Sequence, residues 1–209
     1  MTHINYFDMG LCYDAAEMHL FINHVVPKFT DITYSVYGFE ADPDSYKVVK
    51  NRYKDNINVR IENIAISNSK DKVKLYKSDN GGLGNSIFQS KNNVDPFKFY
   101  EIESNTFSNW LTENNIELSN CINILKVNIE GAELYLWEDF KQNNLRDKFQ
   151  ILCGTTVHDI NKVKELSTKI SYYYDLVKEL NVELSIFTGN HTNKSVESMT
   201  KLLKNILNQ

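Results

Sequence analysis

Three places in the chain put acidic, amide and glycine residues where an apolar run gives way to a polar one. The first is Asp8-Met9-Gly10, at the end of the apolar stretch Ile4 to Asp8. The second is Glu40, which follows Tyr34 to Phe39 and precedes Asp42-Pro43-Asp44. The third is Asn128-Ile129-Glu130-Gly131, in the middle of Asn120 to Phe140. Each residue type has a chemistry and a plainer alternative. Gly10 allows close backbone approach to a ligand at a helix N-terminus, or relieves φ strain in a turn. Glu40 can accept hydrogen bonds from both hydroxyls of a ribose, or stand as a solvated strand-end carboxylate. Glu130 can take a proton from a hydroxyl, or sit as a helix N-terminal carboxylate favoured by the dipole. His158, beside Asp159, is a second proton acceptor near neutral pH, or a surface histidine. His19 and His24 make no HExxH-like pair, and no metal site is expected.

Strands and helices must hold these groups in place. Ile122, Ile124, Leu125, Val127 and Ile129 form a near-continuous aliphatic run, as suits a strand buried on both faces. Ala132, Leu136, Trp137 and Phe140 then fall on one helical face, with Glu138 opposite. Glu133 lies on the apolar side too, an odd place for a charge unless it faces a site. The same switch occurs at the N-terminus, where a helix over Asp14 to Val26 buries Ala15, Met18, Ile22 and Val25 until Pro27 closes it. Pro43 opens another helix, striped by Tyr46, Val49 and Tyr53.

Val59 to Ile66 reads as a third strand, and Lys72 to Tyr76 and Phe97 to Ile102 alternate as half-exposed strands do. Between them, Ser78 to Ser86 is rich in Gly and Asn, either a lid or substrate loop or an ordinary hairpin loop; no Gly-Lys-Ser/Thr makes it a P-loop. Ser104 to Asn114 predicts a short helix with Phe107, Trp110 and Leu111 inward. Phe149 to Val157 is a fifth strand, Lys162 to Leu180 a long amphipathic helix, and Val182 to Phe187 a sixth strand. A turn at Gly189-Asn190 and a last helix over about Ser195 to Leu207 complete the chain. Strands alternating with helices predict an α/β fold, a mostly parallel sheet with helices on both faces. Such sheets bind ligands at the carboxyl ends of their strands.

The 209 residues suit a single domain, 1–209, with a full hydrophobic core. A formal net charge of −4 argues against nucleic acid as a general partner, which would call for a basic excess. Cys12, Cys121 and Cys153 form no C-x-x-C and read as reduced, mostly buried thiols. The apolar stretches fall far short of the ~20 residues of a membrane span, and no signal peptide is apparent. A cytoplasmic protein with no membrane partner is the expectation, and a homodimer stays open.

In one order, then, come Asp8/Gly10, Glu40, Asn63-Ile64-Ala65-Ile66 and Asn128/Glu130. With that order the chain resembles class I S-adenosylmethionine-dependent methyltransferases of Rossmann-like fold, and more narrowly the FkbM family. The resemblance rests on FDMGLCYD, VYGFEADPDSY, NIAISNSKDKVKLY, GLGNSIF, Trp110-Leu111 and LKVNIEGAELYLW, from residue 7 to about 137. It implies S-adenosyl-L-methionine as cofactor. Asp8 and Gly10 would belong to the loop near its methionine part, Glu40 would hold the ribose hydroxyls, and Asn63 and Ala65 would lie near the adenine. Asn128, Glu130 and Gly131 would lie near the methyl group and substrate, and Ser86 would match a serine-bearing loop. Catalysis would fall to Glu130, with Asn128 in the same motif; His158, beyond the resembling segments, is the second candidate base.

Two residues depart from the family pattern: Asp14 stands where a glycine is usual, and Asn128 where an aspartate is usual. Asparagine keeps a hydrogen-bonding oxygen but cannot act as a base. The expected activity is methyl transfer to a hydroxyl of a sugar, glycan or other small metabolite. Alternatives are a methyltransferase on RNA or protein, and a catalytically weak cofactor-binding module. A nicotinamide enzyme fits poorly, since the first loop lacks G-x-G-x-x-G spacing.

Overall fold

The computed structural model of the chain describes residues 1–79, 83–154, 159–182 and 193–208. Its strands are β1 (Thr2–Met9), β2 (Ile32–Phe39), β3 (Val59–Glu62), β4 (Ala65–Ile66), β5 (Asp71–Ser78), β6 (Val94–Asn105), β7 (Cys121–Val127) and β8 (Ile151–Cys153). Its α-helices are α1 (Ala16–Leu20), α2 (Pro43–Tyr53), α3 (Phe107–Glu113), α4 (Glu133–Gln142), α5 (Ile170–Glu179) and α6 (Asn193–Leu207). Five strands form a wholly parallel sheet in the order β3-β2-β1-β7-β8. This is the Rossmann-like α/β architecture expected from the strand–helix alternation.

Successive strand residues face opposite sides, so β1 feeds two cores. Ile4 and Tyr6 join Val36, Ile122 and Ile124 under α1, α2 and α6, where Met18, Val49, Met199 and Leu203 are buried. Phe7 and Met9 join Phe39, Leu125 and Val127 under α3, α4 and α5, among Phe107, Trp110, Trp137, Phe140 and Tyr173. Phe7 meets Phe107 edge-on with ring centroids 5.2 Å apart, a geometry that aromatic quadrupoles favour.

From β1 the chain steps outward through β2 to β3, then returns to β7 on the other side of β1. The connections therefore diverge between β1 and β7, and a crevice opens there at the carboxyl ends. A second sheet, β4-β6-β5, pairs β5 and β6 antiparallel and β4 parallel to β6.

Several elements differ from their sequence-based boundaries, for local reasons. The strand expected over Val59 to Ile66 divides between the two sheets. The Asn63 side-chain amide donates to the carbonyls of Glu40 and Ala41, at 2.9 and 3.1 Å, and turns the chain there. The helix expected from Asp14 begins at Ala16 behind a left-handed Ala15, and widens to a π-turn over Phe21–Val25 before the Pro27 turn. The long helix expected over Lys162 to Leu180 is α-helical only from Ile170. Val163 is extended and bridges Lys91, which leaves 3-10 turns on either side. The expected fifth strand runs over Ile151–Cys153 and reaches Gly154, at φ 120°, and its expected continuation over Thr155 to Val157 lies outside the described residues. The expected turn at Gly189-Asn190 and the sixth strand beyond Val182 lie outside the described residues. Cys12, Cys121 and Cys153 form no disulfide; the first two are half-buried and the third is buried. No helix among the described residues is long and apolar enough to cross a membrane.

Candidate active site

Where β1, β2 and β7 end, a cleft of about 720 Å³, counted out to its open mouth, is lined by Gly10, Cys12, Glu40, Ala65, Ser86, Asn128 and Glu130 among others. Its floor depends on Gly10. This residue has φ 83°, and a Cβ there would fall 1.7 Å from the carbonyl oxygen of Asn128. Only glycine lets β1 and β7 close up, with Asn128 N–H donating to Met9 O at 2.8 Å and Gly10 N–H to Phe39 O at 3.0 Å.

Glu40 anchors two loops at once. Its Oε2 accepts from Cys12 N–H at 2.6 Å and its Oε1 from Asp42 N–H at 2.7 Å. Burial pushes this carboxyl up to about 7, although both backbone donors pull it down. Asp42 caps α2 through Oδ1, accepting from the N–H groups of Asp44 and Ser45. Its Oδ2 accepts from the Asn85 amide at 2.8 Å, which ties the β5–β6 connection to the same corner.

Across the cleft, Glu130 stands at φ 58°, a left-handed backbone for a non-glycine residue. Ser86 Oγ donates to its carbonyl at 2.8 Å, and Lys91 Nζ lies 2.5 Å from its carboxylate. Glu133, the charge expected to be out of place on α4, is buried and braces this turn. Its two oxygens accept from Ile129 N–H at 2.9 Å and Gly131 N–H at 2.7 Å. Burial, with the Asp159 carboxylate nearby, pushes Glu133 up to about 8.

Beneath Gly10 lies a charged network within the sheet. Lys126 Nζ, on β7, is 2.9 Å from Asp8 Oδ1 and 3.6 Å from Glu17, and donates to Gly10 O at 3.0 Å. Burial alone would lower the Lys126 ammonium. The facing carboxylates of Asp8 and Glu17 outweigh it and hold the group above the usual lysine range.

A family model described as the methyltransferase FkbM domain matches residues 10–185, most of the chain. The chain belongs to the FkbM methyltransferase family. No match was found among curated proteins or among solved structures.

In this FkbM methyltransferase, the sequence-predicted site residues divide by position. Gly10, Glu40, Ala65, Asn128 and Glu130 share one cleft lining. Asp8 is buried below it, against Lys126. Asn63 turns away to brace the backbone of Glu40 and Ala41. His158 lies outside the described residues. Asp14 is not among the lining residues, and its carbonyl accepts from the Arg52 guanidinium. Among the described residues no group of three His, Cys, Asp or Glu could hold a metal ion.

Sequence reasoning passed over Lys126, Lys91 and Asn85. Lys126 had a signal, since a charge inside an aliphatic run bound for a buried strand needs a partner. Lys91 had none, because it sits in the polar stretch Ser90-Lys91-Asn92-Asn93.

Proposed function

We propose that this methyltransferase transfers a methyl group from S-adenosylmethionine to a hydroxyl oxygen of a sugar or other small hydroxylated metabolite. One observation carries the reading: a buried carboxylate, Glu40, and a partly exposed one, Glu130, line the same cleft at the crevice between β1 and β7. The cofactor supplies a methyl on a sulfonium, open to in-line displacement. The residues present suit it. Each oxygen of Glu40 takes one backbone donor, and a carboxylate has about four acceptor sites, so two remain for a ribose diol. Gly10 lets a ligand approach the backbone, and Asn128 Oδ1 is buried with no hydrogen-bond partner among the described residues, an acceptor that suits a ligand N–H or O–H.

Glu130, which lines the cleft, would accept the acceptor's hydroxyl proton as oxygen attacks. Orienting the hydroxyl against the methyl does the remaining work, because displacement gains most from alignment. Among the described residues of the lining the charged groups are Glu40 and the Lys91-paired Glu130, with no unpaired cation to hold a phosphate-rich acceptor, which favours a small neutral one.

Calorimetric titration with S-adenosylmethionine and S-adenosylhomocysteine tests the reading. Wild-type protein should bind both. Glu40→Ala should weaken binding roughly 100-fold or more, since hydrogen bonds to a charged group are worth about 1.5–3 kcal/mol each. Absence of binding by the wild type would overturn it.

A further inference from the structure

The Lys91 side chain is wholly buried, although its sequence neighbour Asn92 is exposed and Ser90 is half-exposed. A buried ammonium needs compensation, and here it comes from two residues far apart in the chain. Lys91 Nζ is 2.5 Å from Glu130 Oε2 and donates to the carbonyl of Gly84 at 2.9 Å. Both partners have left-handed backbones, Glu130 at φ 58° and Gly84 at φ 85°. Such conformations persist where the surroundings over-determine them.

The rest of the connection converges on the same point. Ser86 exchanges backbone hydrogen bonds with Tyr76 and donates Oγ to the Glu130 carbonyl. Lys91 bridges Val163, and Asn92 N–H donates to Lys162 O at 3.0 Å. Lys91 is thus held on one side by the 162–163 turn and reaches across to the cleft on the other. Leu83, Gly84, Asn85 and Ser86 form one wall of the cleft.

We propose that Lys91 is a positioning residue. It holds the Glu130 carboxylate at the cleft and latches the Gly84–Ser86 wall to it. The inference rests on the reading above that Glu130 faces the acceptor. Lys91 acts through Glu130 and touches no reacting atom.

The test measures amide hydrogen exchange across the full chain, with titration by S-adenosylhomocysteine in parallel. Lys91→Met, which removes the charge and keeps the stem, should accelerate exchange at Tyr76 and Ser86, whose N–H groups bond to each other's carbonyls beside this wall, at least tenfold. Amides of β1 and β7 should be unchanged, and affinity for S-adenosylhomocysteine should stay within about threefold. Glu130→Gln should accelerate the same amides, the double variant should go no further than either, and Lys91→Arg should restore protection to within about threefold. Should Lys91→Met unfold, Glu130→Gln and Lys91→Arg decide alone. Unchanged exchange, additive effects, no rescue by arginine, or affinity falling as far as in Glu40→Ala would each overturn the proposal. A wild type that fails to bind S-adenosylhomocysteine would instead sink the cofactor reading, which the exchange data do not depend on.

Discussion

Lys126 Nζ lies 2.9 Å from Asp8 Oδ1, with both side chains almost fully buried, and the same ammonium donates to the carbonyl of Gly10. A buried ion pair at the base of the crevice therefore holds the backbone on which a ligand would rest. The pair links β1 and β7, the two strands between which the crevice opens.

Removing one partner should cost far more than removing both. Lys126→Met leaves the buried Asp8 carboxylate without its ammonium and should destabilise the protein by roughly 3–5 kcal/mol. Lys126→Met combined with Asp8→Asn should recover a good part of that loss. Equilibrium urea unfolding of the variants gives the comparison. A single-variant cost below about 1 kcal/mol would show that the pair does not organise the loop.

Cofactor binding should depend on pH through Glu40, whose carboxyl lies at about 7 in the free protein. Hydroxyl donors stabilise the ionised form, so binding should draw off a proton below pH 7. Affinity should be flat above about pH 7.5 and fall by up to tenfold per pH unit below it. Titration in buffers of different ionisation enthalpy would count the proton directly. Glu40→Gln should bind weakly at every pH, with no slope.

At Gly10 the backbone tolerates no side chain. The Cβ of Gly10→Ala would lie 1.7 Å from the Asn128 carbonyl oxygen, at a φ of 83° that alanine resists. Separation of β1 from β7 should cost at least about 2 kcal/mol and abolish cofactor binding. A thermal melt and one titration suffice, and full affinity in Gly10→Ala would contradict the account of the cleft floor.

Glu133 should leave a signature in the pH dependence of stability. Its carboxyl rises from 4.5 to about 8 on folding, so between those values the native state binds the proton more tightly than the unfolded state. Its contribution is therefore greatest below pH 4.5, declines as pH rises to about 8, and is level beyond. Glu133→Gln should flatten that part of the curve. It should also cost about 1–3 kcal/mol near neutrality, because an amide cannot accept from both Ile129 and Gly131 N–H. Denaturant unfolding across the pH range would read both effects.

Local sequence carried much of this protein. The runs Tyr34 to Phe39 and Ile122 to Val127 announce buried strands because side-chain period and β-branched content are properties of adjacent residues. Glycine and carboxylate at the ends of those runs are equally local. For that reason Gly10, Glu40, Asn128 and Glu130 could be singled out from the chain, and the order of their segments resembled one family.

Tertiary structure decided what pairs with what. Lys91 meets Glu130 across 39 residues, and Lys126 meets Gly10 across 116. No period or spacing encodes such contacts, which exist only once the crossovers bring β1, β7 and the β5–β6 connection together. The Asn63 amide divides one apparent strand between two sheets by binding the backbone after β2, and Val163 interrupts one apparent helix by bridging Lys91. Glu133 shows the difference most clearly. Its helical phase betrayed a buried charge, but only the folded turn supplies the two N–H groups that make burial tolerable.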